Sequence, residues 1–176
     1  MAQKVRRVNF YEIHAHQDEE PVEYRELFVA MEETPPRDRF YQLNGRAFIM
    51  DYLRIQGRRA LFRVYEGDPD QAPLVYNIDS GSSRPATSSS REIVVQPTHG
   101  LVELSSRAVL IEYNRTGAKA QHIAALWDHL ANRLFEGELT IVLSPVAGED
   151  FLAAINSLDR IRSASIRVAK PNHGWT

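Results

Sequence analysis

The stretch Glu12-Ile13-His14-Ala15-His16-Gln17-Asp18-Glu19-Glu20 sets two imidazoles two residues apart, with three acids close behind. On a strand, positions i and i+2 point to one face, so His14 and His16 could converge on one metal ion. A metal-dependent hydrolase or nuclease would use such a pair. Two ligands fill only half of a tetrahedral zinc shell, however, and the chain has no cysteine to complete it. The same acids also suit a solvated strand end that leads into a helix. No metal and no other cofactor is expected.

The other histidines offer less. His122 and His129 are seven residues apart on a helical stretch, about 10 Å along its axis, too far for one ion. His99, between Pro97 and Gly100, reads as a turn residue. Serine chemistry has little support: there is no Gly-x-Ser-x-Gly elbow, and the Ser-Gly-Ser-Ser run lies in an aperiodic stretch. No glycine-rich turn ends in Lys-Ser or Lys-Thr, as a phosphate loop would require. The Asn114-Arg115-Thr116-Gly117-Ala118-Lys119 turn does pass from strand to helix. Arg115, Gly117 and Lys119 there form a candidate anion site, and equally an ordinary strand-to-helix turn.

Arginine is the conspicuous cation: 18 Arg against 3 Lys. Arg54, Arg58, Arg59 and Arg63 bracket Gly57 in a predicted hairpin. Arg59, Leu61, Arg63 and Tyr65 alternate onto one face of its second strand. Such a face could follow a phosphate backbone and stack on bases. It could also be a solvated sheet face with cross-strand ion pairs to Asp51 and Glu66.

These residues must be held by elements, and the pattern predicts them. Val5 to His16 reads as a strand. The following stretch reads as a helix, with Pro21 in its first turn and Tyr24, Leu27, Phe28 and Met31 at helical spacing, ended by Pro35-Pro36. An antiparallel meander then runs through GRAFIMDYLRIQG, RRALFRVYEG, PLVYNID, REIVVQP, HGLVELSS and RAVLIEYN. Residues 80–90 read as a flexible Ser-rich loop. From Ala108 onward the order becomes strand, helix, strand, helix, strand. Ile123, Trp127, Leu130 and Leu134 form the first helix stripe, and Phe151, Leu152, Ile155 and Leu158 the second. The expected fold is α+β: a mixed sheet with an antiparallel β-meander middle and a C-terminal β-α-β-α-β parallel part. Its parallel strands would be joined by crossovers.

Composition bounds the class. The chain has 176 residues, 25% charged and 43% hydrophobic, ordinary for one globular domain. Net charge is −2, so a uniformly basic nucleic-acid coat is excluded while local basic patches remain. No apolar run approaches the roughly 20 residues of a membrane span, and the N-terminus lacks a signal-peptide core. The absence of cysteine fits a cytoplasmic setting.

Five segments together, VNFYEIHAH, LNGRAFIMDYLRIQ, LVYNIDSG, VVQPTHGLVEL and SASIRVAKPN, resemble an uncharacterised bacterial and prophage family. That family includes phage-satellite killer and phage-exclusion-like proteins. Its members continue past the closing Pro-Asn. The resemblance therefore implies an N-terminal module or a shortened member, with Trp175 marking either the cut or a partner interface. It implies no catalytic residues. The leading expectation is a non-enzymatic interaction module in a phage-defence or mobile-element system, self-associating and with nucleic acid as a ligand. The rivals are a hydrolase or nuclease built on His14 and His16, and a structural subunit of a larger complex.

Overall fold

The computed structural model describes residues 7–17, 20–69, 74–77, 79, 82–85 and 92–146. Its core is built by two helices laid on one face of an antiparallel sheet. The first, α1 (Tyr24–Glu33), starts where the Glu23 carboxylate accepts the N–H groups of Arg25 and Glu26, the latter at 3.1 Å. A carboxylate at that position satisfies orphan donors and complements the helix dipole. Tyr24, Leu27, Phe28 and Met31 are buried as their spacing predicts. Beyond Glu33 the Pro35-Pro36 pair stops the helix, and Pro36–Asp38 makes one 3₁₀ turn. The second helix, α2 (Ala120–Leu134), buries Ile123, Trp127 and Leu130, whereas Leu134 at its end is exposed. Trp127 is fully buried, edge-on to Phe28 and to Phe62 with ring centroids 5.1 Å from each.

The strands are β1 (Val8–Gln17), β2 (Glu20–Pro21), β3 (Phe40–Leu43), β4 (Arg46–Gln56), β5 (Arg59–Gly67), β6 (Leu74–Asn77), β7 (Ser82–Pro85), β8 (Val95–Glu103), β9 (Ala108–Glu112) and β10 (Leu139–Pro145). The main sheet runs β10-β1-β9-β8-β5-β4-β3, with β2 paired to β1, and β6-β7 form a separate ribbon. Ser82–Pro85, within the stretch read as a loop, is therefore one strand of that ribbon. The segments REIVVQP and HGLVELSS, read as two strands, supply the single strand β8. The hairpin at Gly57 stands as predicted, with the glycine at φ +61°.

The expected parallel part is a correction. Every pairing in the sheet is antiparallel. The strands β9 and β10, joined by α2, do run in the same direction, but β1 lies between them and is antiparallel to both. A strand-helix-strand pattern dictates the relative direction of two strands and says nothing of what sits between them. Here an N-terminal strand fills the gap. In β10, Leu139 and Ile141 are buried while Val142 is exposed, so that strand is covered on one face. The expected second helix and last strand, from Gly148 to Lys170, lie outside the described residues.

A bulge keeps β4 in phase with the core. Ile49 pairs with Tyr65 and Tyr52 with Arg63, so Met50 and Asp51 together face Val64. Before the bulge Phe48 and Met50 point inward, and after it Leu53 does, so the inward parity switches from even to odd. Asp51 is thereby aimed away from the core.

Candidate functional site

Three segments meet at one end of the sheet. The Gly57 carbonyl of the β4–β5 turn accepts a hydrogen bond from the Arg25 guanidinium on α1 at 2.8 Å. The Arg58 carbonyl accepts the Leu104 N–H at 2.8 Å, which ties the β8–β9 turn to the same corner. Arg107 closes that second turn at φ +59°, its guanidinium over the Tyr24 ring at 5.5 Å and its carbonyl taking the Ile13 N–H at 2.9 Å. Arg54 is exposed on β4, two residues before the position paired with Arg59. Arg25, Arg54, Arg58, Arg59 and Arg107 thus gather from three parts of the chain.

The carboxylate among them is Glu103, nearly fully buried. Its oxygens stand 3.3 Å from Arg59 Nε and 3.8 Å from Arg58 Nε, and one accepts the Ser105 hydroxyl at 2.9 Å. It fixes the roots of two arginines while the Arg58 side chain stays about three-quarters exposed. Glu23 at the N-cap and Glu26 in the first turn of α1 lie nearby. Of the four arginines expected from sequence, Arg54, Arg58 and Arg59 lie in this group. Arg63 does not: it is turned onto Asp51, with Nε 2.9 Å from Oδ1 and a second, parallel bond to Oδ2. The hydrogen bond that Arg63 donates to Asp51 raises the already high pKa of that guanidinium. Arg25 and Arg107 were not expected, since neither is near the hairpin in sequence.

The candidate anion turn sits at the opposite end of β9. There the Lys119 ammonium donates to the carbonyls of Asn114 and Arg115, the latter at 2.8 Å. Gly117 is buried against Thr98 and Asn114. Arg115 is exposed, and His122 Nδ1 accepts the Lys119 N–H at 3.4 Å. The turn thus spends its ammonium on its own backbone carbonyls and one helix-end donor on the His122 ring. His14 and His16 share a face of β1, and the acid brought to them is Glu12, 3.8 Å from His14 Nε2. Among the described residues no group of three His, Asp or Glu side chains is placed to hold a metal ion. Trp175 lies outside the described residues.

His99 is not in a turn. It lies within β8, directly across the ladder from Arg63, and its Nδ1 is 2.8 Å from Glu112 on β9. Asp51, Arg63, His99 and Glu112 form a polar row across four strands, on the face away from both helices. Among the described residues no helix is long and apolar enough to cross a membrane.

The fold and this surface define an α+β protein with a helix-backed antiparallel sheet and an arginine-rich end. No family model, no curated protein and no solved structure matches the chain.

Proposed function

We propose that the protein is a binding module, not a catalyst, and that its arginine-rich sheet end takes the phosphate backbone of a nucleic acid. The observation that supports this is that Arg25, Arg54, Arg58, Arg59 and Arg107, from three segments, lie at one end of the sheet, Arg54 and Arg59 on its outer face and Arg25 and Arg107 on the helix side, on a chain whose net charge is −2. Guanidiniums are planar forks suited to phosphate, and clustering makes a local positive field that net charge conceals. The setting proposed with it is phage defence or a mobile element, as the family resemblance implies.

The test is binding of a labelled oligonucleotide across a salt series. Changing Arg54, Arg58 and Arg59 to Gln together removes up to three phosphate contacts. Each contact carries about 0.7 of the log–log salt slope on a single strand and about 0.9 on a duplex. The triple variant should bind more weakly, with a slope shallower by up to about 2 on a single strand and about 3 on a duplex. Unchanged affinity and slope would place the contact elsewhere, and no binding by the unmodified protein at low salt would overturn the proposal.

A further inference from the structure

Next to Arg54 and Arg59, on the sheet face away from both helices, lie three planar groups, Tyr52, Arg63 and Tyr65. Tyr52 of β4 is the direct ladder partner of Arg63 on β5, and its side chain is 40% exposed. The Arg63 guanidinium lies over the Tyr65 ring, 5.2 Å from its centroid. Asp51 holds that guanidinium by two bonds, so Arg63 is a fixed plane and its charge is already paired. The β4 bulge is what aims Asp51 at it. Ladder neighbours are about 5 Å apart and next-nearest positions about 7 Å. Tyr52, Arg63 and Tyr65 therefore make a compact patch of stacking surfaces.

From this patch the sheet leads to the phosphate-binding groups. Arg54 follows Tyr52 by two residues on the same face, and Arg59 precedes Arg63 by four, about 13 Å along the strand. A surface with stacking planes at one place and unburied guanidiniums a short distance away matches one ligand chemistry. Bases present their π-faces for stacking only when they are unpaired, as they are in a single strand.

We infer that the ligand is a single-stranded nucleic acid, with bases stacked on the Tyr52–Arg63–Tyr65 patch and its backbone led to Arg54, Arg58 and Arg59. This rests on the phosphate-binding reading above and adds to it the strandedness and the base contact. Arg63, taken from the sequence as a phosphate ligand, becomes a stacking surface instead.

The experiment compares a labelled single strand, the same sequence as a duplex, and an abasic strand of equal length, at fixed salt. The unmodified protein should bind the single strand about tenfold tighter than the abasic strand, the loss expected for one or two stacked bases. Tyr52→Ala should lose about the same factor on the single strand with its salt slope unchanged, while Tyr52→Phe keeps wild-type affinity. Equal binding of the single and abasic strands, or preference for the duplex, would overturn the stacking patch. If that happens while the arginine variant still lowers affinity, phosphate binding survives alone. Absence of any binding overturns both. The abasic comparison uses the unmodified protein, so it decides the matter even if a Tyr52 variant is poorly folded.

Discussion

Gly100 of β8 lies against the tip of the ring of Phe62 on β5, its direct ladder partner. A Cβ at position 100 would run into that ring and come within 2.7 Å of the Leu110 carbonyl oxygen. Phe62 has little room to shift, because it is 2% exposed and packed edge-on to Trp127. The glycine's φ is not the issue; the space is. Gly100→Ala should therefore destabilise the fold by about 3 kcal/mol, at the upper end of ordinary overpacking. Denaturant unfolding would measure it. Pairing it with Phe62→Leu should recover part of the loss, since the ring is the obstacle.

Two histidines make stability depend on pH in a definite direction. His122 packs on the Phe48 ring at 4.7 Å, and burial holds its pKa below the usual imidazole value, with Arg46 and Lys119 acting the same way against the opposing pull of Glu66. His129 stacks on Tyr41 at 4.6 Å and is lowered by burial and by Arg133, with Asp128 opposing. In the window below about 6.5 the unfolded chain then binds more protons than the folded one. Stability should be full above that window and fall as pH drops through it. In His122 the proton would also displace the Lys119 N–H from Nδ1. Melting temperatures from pH 8 to pH 5 should show a smaller fall for His122→Gln than for wild type, and the His122 NMR titration should lie below that of a free imidazole.

The parts of this fold that were legible in the sequence are those decided locally. The period of Tyr24, Leu27, Phe28 and Met31 and the alternation around Phe62 and Val64 state which side is buried, because burial follows from spacing alone. What could not be read depends on distant segments. No local pattern says that β1 enters between β9 and β10. Arg25 and Arg107 join the hairpin arginines only because the two turns and α1 share one corner. His99, flanked by Pro97 and Gly100, had the neighbours of a turn residue. Pro97 is tolerated in a strand because β8 pairs with β9 only from Gly100 onward, leaving Pro97 paired on the β5 side alone. Gly100 is there for Phe62. The bulge that puts Asp51 under Arg63 likewise has no signature in the sequence, since it appears only when two strands are laid in register.

The β6–β7 ribbon is an insertion between two strands that already meet. Gly67, the last residue of β5, is the ladder partner of Val95, the first of β8. The chain between them can be short without moving either strand. Replacing residues 70–92 with a four-residue Gly-Asn-Gly-Ser turn should leave the melting temperature within a few degrees of wild type. Loop-closure entropy changes by only about 0.6 kcal/mol per doubling of length. A large fall would mean that the insertion packs on the sheet.

Glu103 sets stability and ligand affinity against one another. It is nearly fully buried, yet its partners Arg58 and Arg59 reach toward solvent at the end where phosphate is proposed to bind. In Glu103→Gln the shape and the bond to Ser105 can persist, but the negative charge is gone. The two guanidiniums, both partly exposed, can turn to water, so the stability cost should be about 1–2 kcal/mol and not the larger penalty of a stranded buried charge. The local field becomes more positive by one unit. Affinity for a single-stranded oligonucleotide should then rise at low salt, and the gain should shrink as salt screens it. The two effects are read separately, by denaturant unfolding and by a salt series of binding curves. Weaker binding in a folded Glu103→Gln protein would show that Glu103 positions Arg58 and Arg59 for the ligand and does not merely offset their charge.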